Sequence, residues 1–140
     1  MKSLATLIKL QKSKVDEQRI LLTKLQKQLV DIENQIQTLM DEQLQQRELL
    51  VKEPTMAMTY DSYLKECLKR MEALEKRKKT VIYAVGIARD KLGELFEEQK
   101  RYELAEQNRI EEEEAEEQRR ETHTLDEVGS VGFIRSKKRK

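Results

Sequence analysis

Few residues in this sequence have a type and spacing suited to catalysis. The 140 residues include one histidine, His123, and one cysteine, Cys67. Neither has a second metal ligand or a catalytic partner at a motif spacing, and there is no glycine-rich phosphate loop. The many carboxylates lie in helical patterns that offer no pocket for acid–base chemistry. We therefore expect a protein that is not an enzyme and that holds no metal or cofactor.

The composition is typical of long helices rather than of a globular core. Charged residues make up 39% of the chain and aromatic residues 4%, with four Gly, one Pro and no Trp. High charge combined with a regular apolar stripe indicates helix, whereas high charge without a stripe would indicate disorder. The longest apolar run is too short to cross a bilayer and no signal peptide is evident, so we expect a cytoplasmic protein.

The element that organises the chain is an apolar stripe over residues 4–50, which contain no Gly or Pro. Its residues alternate between two heptad positions, and eleven of the fifteen are apolar. A repeat of 3.5 residues keeps such a stripe facing a partner helix. The four exceptions are glutamines, which fix the pairing register or keep the pairing weak. The first seam consists of Met1, Leu4, Ile8, Gln11, Val15, Gln18, Leu22, Leu25, Leu29, Ile32, Ile36, Leu39, Gln43, Gln46 and Leu50.

A second stripe begins after Pro54, which disfavours helix at the preceding residue and ends the first helix. Ten of its twelve residues are apolar, and Leu68, Ile82 and Phe96 widen it on one side. The second seam consists of Leu64, Cys67, Met71, Leu74, Lys78, Val81, Val85, Ala88, Leu92, Leu95, Gln99 and Tyr102.

Two striped helices joined by a short turn pair most economically with each other. The predicted fold is an all-α antiparallel coiled-coil hairpin over residues 1–122, with helices at about 3–51 and 60–122 and a turn at about 52–59. Pairing Leu50 with the region of Leu64 places Leu4 near residue 110, so the second helix is the longer one and ends in a solvated acidic run. Residues 123–140 are predicted to form a flexible basic tail.

The basic tail raises the question of nucleic-acid binding, because clustered Lys and Arg release counterions from phosphates. Five of the final six residues are cations, but they have no interleaved aromatic residues and follow an acidic block. We expect no nucleic-acid partner; anionic lipid or an acidic protein groove fits the same residues.

Four segments, in this order along the chain, resemble the flagellar export protein family FliJ. They are a Leu-Ala-Thr-Leu-Ile-Lys-Leu opening at Leu4, a Tyr-Asp-Ser-Tyr-Leu restart at Tyr60 after the proline turn, a Phe-Glu-Glu-Gln-Lys-Arg-Tyr-Glu segment at Phe96, and Leu-Asp-Glu-Val at Leu125. The resemblance implies an antiparallel coiled coil, similar to the stalk of rotary ATPases, that sits in the ring of the export ATPase FliI. It also implies contact with the export gate protein FlhA and with substrate chaperones.

The resemblance implies two contact regions. The end that carries both termini would enter the ATPase ring, with candidate contacts at Leu4, Leu7, Ile8, Tyr102 and Ile110. The turn end would face the gate. Carried over residue by residue, the gate-docking positions are Gln35, Leu39, Tyr63 and Leu74, although Leu39 and Leu74 also belong to the seams. The chain departs from the family's apolar or aromatic pattern at Glu42, Gln46, Cys67 and Arg70.

The sequence therefore favours a monomeric stalk or chaperone-like coupling factor of flagellar type III export, held at the cytoplasmic face of the inner membrane by its partners. Two alternatives remain open. One is the analogous stalk of a virulence type III secretion system, and the other is a structural tether that dimerises through the same seams.

Overall fold

The computed structural model describes residues 3–138, and within them all side chains except those of Phe133 and residues 135–138. Helix α1 spans Leu4–Lys52, a 3-10 turn spans Pro54–Met56, and helix α2 spans Ala57–Lys138. The described residues contain no strand. The all-α class, the two long packed helices and the greater length of the second are thus confirmed.

The ends of α1 follow from local capping chemistry. The Ser3 Oγ accepts a hydrogen bond from the Thr6 backbone N–H at 3.2 Å, which makes Ser3 the predicted N-cap. At the other end, Glu53 leaves the helical region with φ −130° and ψ 85°, as expected for a residue before proline. Pro54 then begins the 3-10 turn, where its missing N–H costs nothing.

The turn is shorter than the sequence predicted. Helix α2 begins at Ala57, whose backbone N–H reaches the Pro54 carbonyl, and not near residue 60. Leu50 lines a small cavity together with Thr59, Tyr60 and Tyr63 of the first turns of α2.

The chain divides into two compact units. We call Ser13–Phe96 the central hairpin, and Met1–Lys12 with Glu97–Lys140 the terminal unit. In the central hairpin the helices run antiparallel, and Gln18 Nε2 donates to the Ala88 carbonyl across the seam at 3.2 Å. Every seam residue of this unit is buried or half-buried, which confirms the predicted faces of both helices. Its buried residues are Val15, Ile32, Ile36, Leu39, Cys67, Val85, Ala88 and Leu95.

In the terminal unit the start of α1 packs against the α2 segment that follows Phe96. Gln11 is only 2% exposed, and its Nε2 donates to Glu98 Oε2 at 3.2 Å. The other carboxylate oxygen of Glu98 accepts a hydrogen bond from the Tyr102 hydroxyl at 3.0 Å. Beyond Glu106, all residues from 107 to 132 are exposed.

Helix α2 does not end at residue 122, as the sequence predicted, but continues to Lys138. Side-chain pairs one turn apart support this extension, such as His123 with Glu127 at 3.3 Å and Arg120 with Glu116 at 3.0 Å. Such exposed pairs contribute little, and a helix without tertiary packing is marginal in water. The flexibility of the tail therefore stays a prediction.

Candidate partner-docking site

A groove lies along one flank of the central hairpin and is lined by residues of both α1 and α2. Its volume is about 490 Å³. The floor is apolar and includes Leu39, which is 5% exposed, and the half-buried Leu74. The residues that line it are Asn34, Gln35, Thr38, Leu39, Glu42, Arg70, Ala73, Leu74 and Arg77.

The rim of the groove is polar and mixed in charge. Gln35 and Glu42 stand on α1, while Arg70 and Arg77 stand on α2. Arg70 lies 4.0 Å from Glu66 on its own helix, an exposed pair of small energetic value. An apolar floor with amides, one carboxylate and two guanidinium groups suits a protein surface that presents an apolar anchor with polar neighbours.

A second, smaller cavity of about 110 Å³ lies closer to the turn. Tyr63 lines this cavity together with Gln46 and Tyr60, and the two tyrosine rings are 6.4 Å apart at an interplanar angle of 36°. A hydrogen bond to the Cys67 thiol, together with desolvation, raises the pKa of Tyr63 to about 12. Its phenol is therefore neutral at physiological pH and presents an amphipathic ring.

The opposite flank of the central hairpin is only partly covered by side chains. Leu68 and Ile82, which were expected to widen the second seam, are 59% and 48% exposed. Phe96 is half-buried, and the Arg19 guanidinium lies 5.0 Å from its ring centroid. Only Phe96 of these three is covered, so the stripe is not widened along its whole length.

The candidate ring contacts all lie in the terminal unit. Leu4, Leu7, Ile8 and Tyr102 are half-buried in its seam, whereas Ile110 is 41% exposed. The hydrogen bond to the Glu98 carboxylate raises the pKa of Tyr102 and keeps the phenol protonated.

The described part of the chain contains no group of three or more His, Cys, Asp or Glu residues placed to hold a metal ion. Neither helix has, among these residues, a stretch long and apolar enough to span a membrane.

Comparison with known families decides what kind of protein carries this groove. The model of the family described as flagellar FliJ protein matches residues 1–138. The chain belongs to the FliJ family. No curated protein and no solved structure matches it. FliJ proteins are non-catalytic components of flagellar type III export, so the family selects the flagellar system over the virulence system that the sequence left open.

The structure of this FliJ-family chain brings together three of the four predicted gate-docking residues. Gln35, Leu39 and Leu74 line the groove, and Tyr63 lies in the smaller cavity. Glu42 and Arg70, where the chain departs from the family pattern, also line the groove. Because Leu39 is almost fully buried, its main contact is with the seam, as its heptad position indicates.

Four groove residues of this FliJ-family chain were not singled out from the sequence. Asn34, Thr38, Ala73 and Arg77 lie within one helical turn of Gln35 or Leu74. Thr38 and Arg77 lie three residues from Gln35 and Leu74, and that spacing is the signal that would have found them, because residues three or four apart share a helix face. A search along the flank of the seam, rather than within the seam, would have included Thr38 and Arg77.

Proposed function

We propose that this chain is the stalk of the flagellar export ATPase ring, FliI, and couples that ring to the export gate protein, FlhA. The groove of the central hairpin is the gate-docking surface, and the terminal unit enters the ring. Contact with substrate chaperones and action at the cytoplasmic face of the inner membrane belong to the same proposal on the strength of the resemblance alone.

One observation carries the gate-docking part of the proposal. Residues that the resemblance assigned to the gate from two separate stretches of sequence line one groove, and that groove has an apolar floor and a polar rim. A coupling factor needs such a surface on a rigid support, and here two packed helices supply it.

The seams support a stalk over a dimeric tether. Within the central hairpin, each seam residue is covered by the other helix of the same chain. The ion pairs of the described residues all lie within α2, so the apolar seam holds the two helices together. A tether that used these seams would have to open the hairpin first, and would lose the free energy of burying them.

The gate-docking surface can be tested with two exposed residues whose removal leaves the seam intact. We expect a Gln35→Ala, Arg77→Ala double variant to weaken binding to FlhA about tenfold, which is about 1.4 kcal/mol. The assay is a titration of the cytoplasmic domain of FlhA, followed by calorimetry.

The matched control makes the same two chemical changes on other faces. It is the Gln37→Ala, Arg89→Ala variant, whose residues are also exposed and do not line the groove. We expect this control to bind FlhA as the wild type does. Equal losses in both variants would show that the groove is not the docking surface.

The stalk role is tested by the hydrolysis rate of FliI titrated with the chain. We expect stimulation that saturates near one chain per ring. Ile110→Asp should raise the half-saturating concentration about tenfold, because a charge at an apolar contact is left without a partner. Ile82→Asp, a matched change at an exposed residue of the central hairpin, should have no effect. If the chain does not stimulate hydrolysis by FliI at any molar ratio, the proposed stalk role is refuted.

A further inference from the structure

The middle of the central hairpin is basic on both helices. Residues 18–30 of α1 contain three Lys or Arg and no Asp or Glu, and residues 76–89 of α2 contain five Lys or Arg and no Asp or Glu. The hydrogen bond from Gln18 Nε2 to the Ala88 carbonyl shows how these stretches face each other. Counted from that pair along antiparallel helices, residue 30 lies opposite residue 76, so the two stretches coincide. We call them together the basic belt, which is about 18 Å long at about 1.5 Å per residue.

The charge of the basic belt is not neutralised within the hairpin. Acidic residues resume just outside it, at Glu17 and Asp90 at one end and at Asp31 and Glu75 at the other. Among the residues that the structure describes, only one of the eight cations pairs with a carboxylate, and that carboxylate lies one turn away on its own helix. Seven of the eight are exposed. These positive charges are therefore open to an anionic partner.

The basic belt also exposes apolar side chains. Ile20, Tyr83 and Ile87 each expose more than half of their surface. Lys side chains carry apolar stems of their own and keep only the ammonium group in water. Cations interleaved with exposed aliphatic residues and an amphipathic tyrosine are the composition of a surface that lies in the interface of a bilayer.

Cations and apolar residues of the belt share the flank on which the groove lies. Arg77 lines the groove itself. Lys24 lies two heptads before the groove residue Thr38, and Ile87 lies two heptads after the groove residue Ala73. Residues a whole number of heptads apart occupy the same face of a coiled-coil helix. We call this part of the belt the basic face, and it consists of Leu21, Lys24, Lys27, Arg77, Tyr83 and Ile87.

We infer that the basic face binds a bilayer surface that contains anionic phospholipid, with the two helices lying flat on it. The Lys and Arg side chains reach the headgroup phosphates, while Tyr83 and Ile87 enter the boundary between headgroups and acyl chains. This contact leaves the hairpin closed and uses neither seam. It does not rest on the proposed function, in which protein partners hold the chain at the membrane.

Two features favour lipid over other polyanions. A nucleic-acid backbone offers phosphates but no apolar layer that would bury Tyr83 and Ile87. Protein interfaces are enriched in Arg and depleted in Lys, whereas five of the eight cations of the belt are Lys. The flexible ammonium groups of Lys suit headgroups that have no fixed arrangement.

The test is flotation of the full chain with lipid vesicles at about 0.1 M salt. Each cation near an anionic surface strengthens binding about fivefold, and the basic face contains three. We therefore expect vesicles with about 30% phosphatidylserine to bind the chain about a hundredfold more tightly than vesicles of phosphatidylcholine alone. Raising the salt to about 1 M shortens the Debye length to about 3 Å and should remove this difference. Equal binding to both kinds of vesicle at low salt, or binding to neither, would overturn the inference.

The chain supplies a closely matched pair of variants, because the sequence Lys-Leu-Gln-Lys occurs at residues 24–27 and again at residues 9–12, outside the belt. Lys24→Gln with Lys27→Gln should weaken binding to the anionic vesicles about 25-fold. Lys9→Gln with Lys12→Gln makes the same change at exposed residues of the same helix and should bind as the wild type does. Circular dichroism verifies that both variants keep the helix content of the wild type.

Two results with these variants would contradict the basic face. Equal losses in both would show that binding follows net charge alone. Both variants keep the cations of residues 135–140, so wild-type binding by both would assign the vesicles to another part of the chain.

Ile87→Ala tests whether apolar side chains enter the bilayer. Ile87 is 53% exposed, so burying the three carbon atoms that the change removes should strengthen binding about tenfold, and the variant should lose that factor. The matched control is Leu44→Ala, which removes as many carbon atoms from a residue that is 57% exposed and lies outside the belt. Equal binding by the two variants would contradict insertion.

A short DNA duplex and polyglutamate serve as competing anions. We expect neither to displace the chain from anionic vesicles when supplied at an equal concentration of negative charge. Binding to either polymer that is lost in the Lys24→Gln, Lys27→Gln variant, without binding to anionic vesicles, would assign the basic face to another anion and overturn the inference.

Discussion

Replacing Ile32 with Ala provides the sharpest test of the seam, because the chain offers a matched residue on the same helix. Ile32 is 1% exposed, whereas Ile20 is 57% exposed. Both changes remove the same three carbon atoms and both replace Ile with the better helix former. Any difference between the two variants therefore reports burial.

The magnitude follows from the exposed fractions. Removing three buried carbon atoms costs about 2.4 kcal/mol at about 0.8 kcal/mol each, and the cavity left behind adds to this at Ile32. At Ile20 less than half of that surface is buried, so the transfer cost is about 1 kcal/mol. The gain in helix propensity, about 0.4 kcal/mol, applies to both. We expect Ile32→Ala to lower the free energy of unfolding by at least about 1.4 kcal/mol more than Ile20→Ala, and the cavity at Ile32 increases this difference.

The assay is urea unfolding followed by circular dichroism. A two-helix protein has a stability of only a few kcal/mol, so the shift in midpoint should be large. Equal destabilisation by the two substitutions would show that the two helices do not pack through the assigned seam.

Three further predictions concern the central hairpin and the exposed residues 107–132 of α2. Gly86→Ala and Gly93→Ala should each stabilise the protein by up to about 1 kcal/mol in the same unfolding assay, because nothing lies within 4 Å of the added Cβ; destabilisation would indicate close packing there. Tyr63 should ionise near pH 12, and its raised pKa means that its contribution to stability is present below about pH 10 and is lost as the pH rises. Cys67→Ala should lower the pKa of the Tyr63 phenol towards 10, as measured by an absorbance titration. Amide hydrogens of residues 111–132 should exchange much faster than those of the central hairpin, and slow exchange in that range would contradict a solvated helix.

The sequence predicted the helices and their faces well because periodicity acts locally. Ile32, Ile36 and Leu39 follow the heptad spacing and are all buried. The four seam glutamines were also placed correctly, and the structure supplies partners for Gln11 and Gln18 across the seam.

The candidate site was only partly predictable. Gln35 and Leu74 were named from the resemblance and do line one groove, yet Arg77 and Thr38 beside them were not found. Seam periodicity selects residues between the helices, whereas a groove is formed by the residues that flank them. The continuation of α2 past residue 122 was missed because glycine and mixed composition suggested a loop, whereas the structure continues the helix to Lys138 with side-chain pairs one turn apart along it.

The sequence by itself determined the two helices, their packing faces, the break at Pro54 and the segregation of charge beyond the hairpin. Only the tertiary structure decided the axial register between α1 and α2 and the flank on which the groove opens. It also decided that the Arg19 guanidinium lies over the Phe96 ring. The physical reason is that a heptad repeat fixes which face of a helix is buried but leaves its axial position free. The conformation of the Pro54–Met56 turn sets that position, and with it which side chains meet across the seam.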